Sequence, residues 1–143
     1  MVEALKAQRA ESRQIDPIVI VSIMFELSVE REFCAAHAIT INGHREPVHG
    51  HNWWVKVVVD GERVDSNGLL CDFHIIEREL DRIIAPFHNN NLNAVSPFDE
   101  VNPTAEHVAQ QIALAIEKRL PKSATLRGVS VSEAPGCVAT YRP

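Results

Sequence analysis

The chain has 143 residues and a mass of 15.9 kDa, with 45% hydrophobic residues, 23% charged residues and a formal net charge of −5 at pH 7. This composition is typical of one globular domain and excludes a disordered chain. The negative charge and the scattered Lys and Arg argue against a nucleic-acid surface. No apolar run approaches the roughly 20 residues of a membrane-spanning helix, and three cysteines without CxxC spacing indicate reduced thiols. We expect a cytoplasmic protein that binds neither nucleic acid nor membranes.

The first predicted elements are an N-terminal arm and two long strands. The arm is assigned to residues 1–17 and a single domain to residues 18–143. Residues 18–33 are rich in β-branched side chains, with apolar and polar positions alternating toward the end of the run, which predicts a strand with one buried face. Turn residues follow at 42–47, and residues 49–60 again have strand character. Two long strands joined by this loop predict an antiparallel hairpin.

Two amphipathic helices and one or two closing strands complete the predicted order. The second helix is expected to begin with Asn102 as N-cap and Pro103 at its first position, and residues 126–143 supply the closing strands. This order predicts an α+β fold, an antiparallel sheet with both helices on one face. The uncovered sheet face and edges predict a homo-oligomer. The apolar helix positions are Ile75, Ile76, Leu80, Ile83 and Ile84, then Val108, Ile112, Ala115 and Ile116.

Three histidines form a candidate metal site. His49 and His51 are two residues apart on the second strand, so they point to the same face, roughly 7 Å apart at Cα. Antiparallel pairing could bring His37, near the end of the first strand, opposite them. Three imidazoles with an open fourth position are the pattern of a catalytic zinc site, and Gly50 would leave room where two strands and a metal crowd. The alternative interpretation is surface histidines beside a turn.

Several segments together resemble one protein family: "FCAAHAI", "VHGHNWWVKVVVDG", "NNNLN", "NPTAEHVA" and "VSVSEAP". They are similar to the 6-pyruvoyltetrahydropterin synthase superfamily, which includes bacterial 6-carboxytetrahydropterin synthases, over residues 25–141. The resemblance implies the tunnelling fold (T-fold), an antiparallel ββααββ sheet that assembles as trimers or hexamers around a β-barrel. It also implies that His37, His49 and His51 hold Zn²⁺.

The same resemblance implies a pterin substrate, 7,8-dihydroneopterin triphosphate. Glu133 occupies the position of the carboxylate that pairs with the 2-amino group and ring N–H of the pterin. Thr104 and Glu106 match a segment that lies near the pterin pocket in relatives. From the residues alone, Glu133 could equally be a solvent-facing charge, and Thr104 and Glu106 could serve only to cap a helix.

The catalytic base of the family is replaced in this sequence. Typical members have a cysteine at the position of Arg45, and Cys34 does not substitute for it, because strand alternation turns Cys34 away from His37 and predicts a packed thiol. The segment "REPVHGH" resembles the type III branch of the family, in which a glutamate in an ExxHGH motif replaces the cysteine. This resemblance makes Glu46 the candidate base. That branch cleaves the side chain to give 6-hydroxymethyl-7,8-dihydropterin, a folate precursor. The alternative is a loop glutamate in solvent.

The family's Asp-His proton relay is also altered. Ungapped alignment places His88 and Asn89 at those two positions, and asparagine cannot titrate, so His88 is the candidate proton shuttle. The sequence therefore predicts a zinc-dependent lyase that cleaves a dihydropterin side chain. Its alternatives are a 6-carboxytetrahydropterin synthase of deazapurine (queuosine-type) biosynthesis and a non-catalytic protein that binds zinc and pterin. A structural oligomer without metal would leave the AAH and HGH segments unexplained.

Overall fold

A computed structural model describes residues 24–143, so the predicted N-terminal arm (residues 1–17) and the predicted strand start at residue 18 lie outside the described residues. The helices are α1 (Phe73–Ile84) and α2 (Ala105–Glu117), and a short 3₁₀ turn covers Leu92–Ala94. The strands are β1 (Phe25–His37), β2 (Thr40–Ile41), β3 (His44–Arg45), β4 (His49–Gly61), β5 (Asn90–Asn91), β6 (Thr125–Ala134) and β7 (Cys137–Tyr141).

Five strands form one sheet in the order β5-β1-β4-β6-β7. The predicted hairpin is present as β1 and β4, which pair antiparallel along their full length, from Phe25 opposite Gly61 to His37 opposite His49. Strand β1 therefore continues four residues beyond the predicted end at position 33. Strand β5 pairs with β1 in parallel, so the sheet is mixed rather than wholly antiparallel as predicted. This correction involves only the two residues of β5, which lie along the edge of β1 after the chain leaves α1.

The predicted turn at 42–47 contains a small hairpin of its own. Strands β2 and β3 pair antiparallel, with Thr40 opposite Arg45 and Ile41 opposite His44. Asn42 and Gly43 form the tip with positive φ angles of 51° and 81°. Two such residues are what a two-residue hairpin loop of the type I′ class requires. This hairpin lies between the strands that carry the three histidines.

The hydrophobic core lies between one face of the sheet and both helices, and the predicted α+β class is confirmed. Full burial of one aliphatic side chain contributes about 1.5–3 kcal/mol, so this layer dominates the stability of the fold. On the opposite face, Lys56 lies 3.6 Å from Glu30 and the thiol of Cys34 lies 3.0 Å from Oδ1 of Asn52. The buried positions are Val29, Phe33, Ala35, Trp53, Val55, Val57, Val59, Leu126, Val129 and Val131 on the sheet and Ile76, Leu80, Ile84, Val108, Ala109, Ile112, Ala113 and Ile116 on the helices.

The predicted start of the second helix is wrong by two residues. Thr104 is the N-cap, and its side chain accepts a hydrogen bond from the backbone N–H of His107 at 3.2 Å. Asn102 cannot cap the helix because its amide is bonded to the backbone of Thr40. Helix α1 is capped in the same way by Asp72, which accepts from the N–H of His74 at 2.9 Å. In the described part of the chain, neither helix has the length and apolar character of a membrane span.

Candidate functional site

The register of the β1/β4 hairpin brings three histidines together. His37 is directly opposite His49, and His51 follows two residues later on the same face of β4. The ring centroids are 4.8 Å apart for His37 and His49, 5.1 Å for His37 and His51, and 4.7 Å for His49 and His51. One ligand nitrogen from each ring lies within 4.8 Å of the other two. We call these residues the three-histidine cluster.

Backbone carbonyls orient two of the three rings. Nδ1 of His37 donates to the carbonyl of Pro103 at 2.7 Å, and Nδ1 of His49 donates to the carbonyl of Pro47 at 2.9 Å. A carbonyl oxygen can only accept, so Nδ1 of each ring carries a proton, and Nε2 is the nitrogen through which the neutral form of each ring can bind a metal. Hydrogen bonds of this kind orient histidine ligands in metal sites.

The cluster fits a divalent metal ion. Among the described residues, Nε2 of His37 and Nε2 of His51 are buried side-chain atoms without a hydrogen-bond partner. A buried polar atom without a partner destabilises a fold by about 1–3 kcal/mol, and a metal ion would satisfy both lone pairs. Nitrogens bound to a tetrahedral zinc at about 2.0–2.1 Å lie roughly 3.4 Å apart, a separation that small ring movements in this cluster can reach. Burial lowers the pKa of His51, which keeps that ring neutral for coordination, although the charge of Glu133 partly opposes the shift.

A tryptophan forms the wall behind the cluster. The ring of Trp53 is fully buried, packs edge-on to His37 with a centroid distance of 4.9 Å, and stacks on Phe33 at 5.9 Å. Its Nε1 donates to the carbonyl of Ala35 at 3.1 Å. These contacts fix the strand ends that carry the histidines and exclude water from the core side of the site.

A β-bulge directs Glu133 toward the cluster. The pairing of β6 with β7 shifts between Ser132 and Ala134, which leaves Glu133 as the extra residue. Bulges of this kind re-aim side chains beside active sites. Oε2 of Glu133 lies 3.5 Å from Nε2 of His37, and the side chain is half-buried. Glu133 thus lies beside the cluster while part of its side chain remains exposed to solvent.

Glu46 lies on the other side of the cluster. Its Oε1 accepts the backbone N–H of Ile39 at 3.0 Å and lies 3.8 Å from Nε2 of His49. The backbone N–H of Glu46 in turn donates to the carbonyl of Ile39 at 3.0 Å. Two carboxylates, Glu46 and Glu133, thus flank the three imidazoles.

A groove of about 660 Å³ opens beside Glu133 and His51. Its volume lies within the range of small-molecule sites, roughly 300–1,000 Å³. Trp54 and Val138 contribute apolar surface to its lining. Gly50 also lines it, and a Cβ added there would meet no atom of the described residues within 4 Å, its two chain neighbours apart, so the strands alone do not require a glycine at this position.

Within residues 24–143, Thr104 and Glu106 form no hydrogen bond or ion pair with the three-histidine cluster. Thr104 is occupied as the cap of α2, and Glu106 is exposed in the first turn of that helix, where a negative charge is favourable. Both match the helix-capping alternative. Their closest link to the cluster is the neighbouring carbonyl of Pro103, which holds His37.

His88, Asn89 and Cys34 meet at the edge of β1. Nδ1 of the exposed His88 accepts the backbone N–H of Cys34 at 3.3 Å, and the N–H of Asn89 donates to the Cys34 carbonyl at 2.6 Å. Asn89 has a φ of 59°, a conformation that asparagine tolerates well. Cys34 faces away from His37 as predicted, but its thiol is exposed rather than packed. No hydrogen bond or ion pair of the described chain joins His88 to the cluster.

Sequence reasoning missed the residues that support the cluster. Asn93 and Asn102 bond the backbone of the segment after His37, and Pro103 orients the His37 ring. For Asn93, the one indication in the sequence was its place in the "NNNLN" segment that resembles the family. The contacts join residues more than fifty positions apart, so no local pattern reveals them.

Comparisons with known proteins identify the family of this chain. A family model described as 6-pyruvoyl tetrahydropterin synthase matches residues 26–143. The dihydroneopterin monophosphate aldolase of Pyrococcus furiosus is 35% identical over 101 residues, 71% of this chain and 82% of that protein. The 6-carboxy-5,6,7,8-tetrahydropterin synthase of Bacillus subtilis is 30% identical over 128 residues, 83% of this chain and 86% of that protein.

A solved structure shares the fold. The 6-pyruvoyl tetrahydropterin synthase of Caenorhabditis elegans superposes with a TM-score of 0.76 at 21% identity, covering 85% of this chain and 96% of that chain. This match confirms the predicted T-fold topology of the subunit. With the family model covering nearly all of the described residues, the chain belongs to the 6-pyruvoyl tetrahydropterin synthase family.

Proposed function

We propose that this protein is a zinc-dependent lyase that cleaves the side chain of a phosphorylated 7,8-dihydroneopterin to give 6-hydroxymethyl-7,8-dihydropterin. The observation that carries the proposal is a three-histidine cluster flanked by two carboxylates, with Glu133 3.5 Å from His37 and Glu46 3.8 Å from His49. One carboxylate would bind the pterin and the other would serve as base. A cation between them would lie next to the bond that breaks.

His37, His49 and His51 would hold the Zn²⁺ and leave one coordination position for substrate. When bound there, the ion supplies Lewis-acid polarisation of a side-chain oxygen of the substrate. Glu133 would anchor the pterin, because its two oxygens can accept from the 2-amino group and the ring N–H in a bidentate pair. The groove beside Glu133 offers Trp54 as apolar surface for the rings.

Glu46 is the proposed base for the cleavage. It would accept the proton of the hydroxyl on the second side-chain carbon, C2′. The C1′–C2′ bond then breaks, C2′ becomes the carbonyl carbon of a released aldehyde that carries the phosphate, and the electron pair stays on C1′ in conjugation with the ring. A proton returned to C1′ completes the hydroxymethyl group. His88, an exposed ring that can exchange protons with solvent, remains the candidate shuttle.

The substrate has two candidate forms, which differ in the number of phosphate groups. The sequence resemblance favours the triphosphate, whereas the name of the Pyrococcus relative favours the monophosphate. The cleaved bond is the same in both molecules. Both substrates therefore belong in the test.

The second candidate is a 6-carboxytetrahydropterin synthase, which the Bacillus relative favours. Arg45 at the position of the family's cysteine and the His88-Asn89 pair at the position of its Asp-His relay count against it. They would also suit a third candidate, a protein that binds zinc and pterin without turnover. A direct assay separates the three.

The assay incubates zinc-loaded protein with the triphosphate and, in parallel, with the monophosphate, and identifies the products by mass. The proposed function predicts 6-hydroxymethyl-7,8-dihydropterin and a phosphorylated aldehyde, with loss of product when chelators remove zinc and recovery when zinc is restored. A carboxylated tetrahydropterin with acetaldehyde would support the second candidate. Substrate that binds and returns unchanged would support the third.

A further inference from the structure

The short segment that follows His37 has an unusual set of partners. Residues 38–40 run from the end of β1 to the first residue of the small hairpin, and all three of their backbone N–H groups and all three carbonyls are hydrogen-bonded. Buried or half-buried backbone groups need partners, and strands normally supply them. Here two side chains from distant loops bond residues 38 and 40, and Glu46 bonds residue 39.

Two asparagines bind alternate residues of this segment in the same way. Oδ1 of Asn93 accepts from the N–H of Ala38 at 2.7 Å, and Nδ2 of Asn93 donates to its carbonyl at 2.8 Å. Oδ1 of Asn102 accepts from the N–H of Thr40 at 2.9 Å, and Nδ2 of Asn102 donates to its carbonyl at 2.7 Å. A primary amide offers a donor and an acceptor side by side, so each asparagine takes the place of a neighbouring strand. We call these two pairs the amide clamps.

The residue between the clamps bonds to Glu46. The N–H of Ile39 donates to Oε1 of Glu46, and its carbonyl accepts from the N–H of Glu46, both at 3.0 Å. Because strand-like backbone groups alternate in direction, clamps on Ala38 and Thr40 turn Ile39 toward Glu46. The amide clamps therefore fix the backbone of Ile39, and Ile39 in turn positions the carboxylate of Glu46, the proposed base.

The amide clamps are also linked to His37 through neighbouring residues. Ala38 is its direct neighbour in the chain, and Asn102 precedes Pro103, whose carbonyl accepts the Nδ1 proton of His37 at 2.7 Å. Movement of Asn102 would displace that carbonyl, and with it the hydrogen bond that leaves Nε2 of His37 as the metal-facing atom. Neither asparagine belongs to the three-histidine cluster.

We propose that Asn93 and Asn102 are positioning residues of the metal centre, amide clamps that set the direction of His37 Nε2 and the place of the Glu46 carboxylate. The inference rests on the proposed function insofar as the cluster binds zinc. It concerns metal binding and geometry, so it can be tested without product formation.

The test replaces each asparagine by aspartate and measures Zn²⁺ affinity by chelator competition and the visible absorption spectrum of the Co²⁺-substituted protein. Asn93→Asp and Asn102→Asp keep the shape of the side chain but replace its N–H donor by a carboxylate oxygen. The negative charge then lies against the backbone carbonyl to which the asparagine donated. The matched control is Asn90→Asp, since the Asn90 amide also donates to backbone carbonyls, those of Pro86 and His88 at 2.9 and 3.4 Å. These belong to its own segment rather than to residues 38–40.

The proposal predicts that both clamp variants fold, as judged by circular dichroism, but bind Zn²⁺ about 10-fold more weakly, the lower end of the effect of losing a direct outer partner of a metal ligand, because the asparagines act on His37 through other residues. Their Co²⁺ spectra should also shift, whereas Asn90→Asp should match the parent in both measurements. Unchanged Zn²⁺ affinity and Co²⁺ spectra in folded clamp variants would overturn it.

Asn93→Ala and Asn102→Ala remove the clamps without adding charge, and they decide the question if the aspartate variants do not fold. Loss of fold in all four variants would overturn the proposal, because the asparagines would then maintain the whole domain rather than the metal centre. A parent protein that binds no metal would end the proposed function and this inference together. A parent that binds metal tightly but forms no pterin product would end the proposed function alone.

Discussion

In the three-histidine cluster, hydrogen bonds to backbone carbonyls determine which ring nitrogen of His37 and His49 is available to a metal ion. The carbonyls of Pro103 and Pro47 accept from Nδ1 of His37 and His49, which leaves Nε2 of each ring as the nitrogen available to a metal ion. The third ring, His51, is neutral more readily than usual because burial lowers its pKa. Such an arrangement of unprotonated nitrogens suits a cation and leaves the adjacent carboxylates, Glu46 and Glu133, free for substrate.

The anchoring role of Glu133 can be separated from metal binding. Glu133→Gln keeps the shape of the side chain but removes the charge, and hydrogen bonds to a charged group contribute about 1.5–3 kcal/mol. We therefore expect pterin affinity to fall about 10- to 100-fold, measured by fluorescence titration, while zinc content stays at the parent level. Glu117→Gln, at the exposed end of α2, is the control. Undiminished pterin affinity in Glu133→Gln would contradict the role of anchor.

Glu46 should affect turnover rather than binding. Glu46→Gln retains an oxygen that can accept from Ile39 but cannot take up a proton at neutral pH. General-base catalysis contributes about 10²- to 10⁴-fold to a rate, so kcat should fall by that order while the zinc content and the Kd for pterin hold. The comparison is with Glu100→Gln, an exposed glutamate on another loop. Near-parental kcat in Glu46→Gln would exclude Glu46 as the base.

At the level of elements, most of the fold could be predicted from periodicity. Alternation gave the two long strands and the 3.6-residue period gave both helices, because burial on one face is a local pattern. The cap of α2 could not be predicted, since Asn102 and Thr104 are both good cap residues and the choice depends on Thr40, 62 positions away from Asn102. The bulge at Glu133 and the two-residue strand β5 likewise follow from tertiary pairing rather than from local sequence.

The start of α2 provides a prediction for stability. Thr104→Ala removes the side-chain oxygen that accepts from the N–H of His107, and loss of an N-cap of this kind costs about 1 kcal/mol. Urea unfolding followed by circular dichroism should show a decrease of that size in the free energy of unfolding, with an unchanged dependence on urea. A Thr104→Ser variant, which keeps the side-chain oxygen, should retain most of the parent's free energy of unfolding. Equal stability of Thr104→Ala and the parent would rule out the cap as a stabilising contact.

Within residues 24–143, the sheet has edges that no further strand covers. Strand β5 pairs only with Ala35 and Ala36 of β1, and β7 ends the sheet on the other side. Open edges attract further strands, and the outer sheet face is polar, as at Glu30 and Lys56. The site residues were recognised from the sequence through short motifs, whereas this larger assembly depends on surfaces that only the folded chain displays.

We accordingly predict a homo-oligomer built on trimers, in which β1 and β7 of neighbouring copies pair. Sedimentation equilibrium should give a mass of three or six times the 15.9 kDa of the chain. A monomer that persists at micromolar concentration would contradict the prediction. Such a result would leave the three-histidine cluster unaffected, because all three rings come from one hairpin.

The proposed function depends on one metal ion bound at the end of the β1/β4 hairpin. X-ray absorption at the zinc edge, on protein purified with one equivalent of Zn²⁺, measures the ligands of that ion. We expect three imidazole nitrogens at about 2.0–2.1 Å and at least one further light ligand from water or substrate. Zinc that washes away below one ion per chain, or a spectrum with fewer than three imidazoles, would contradict it.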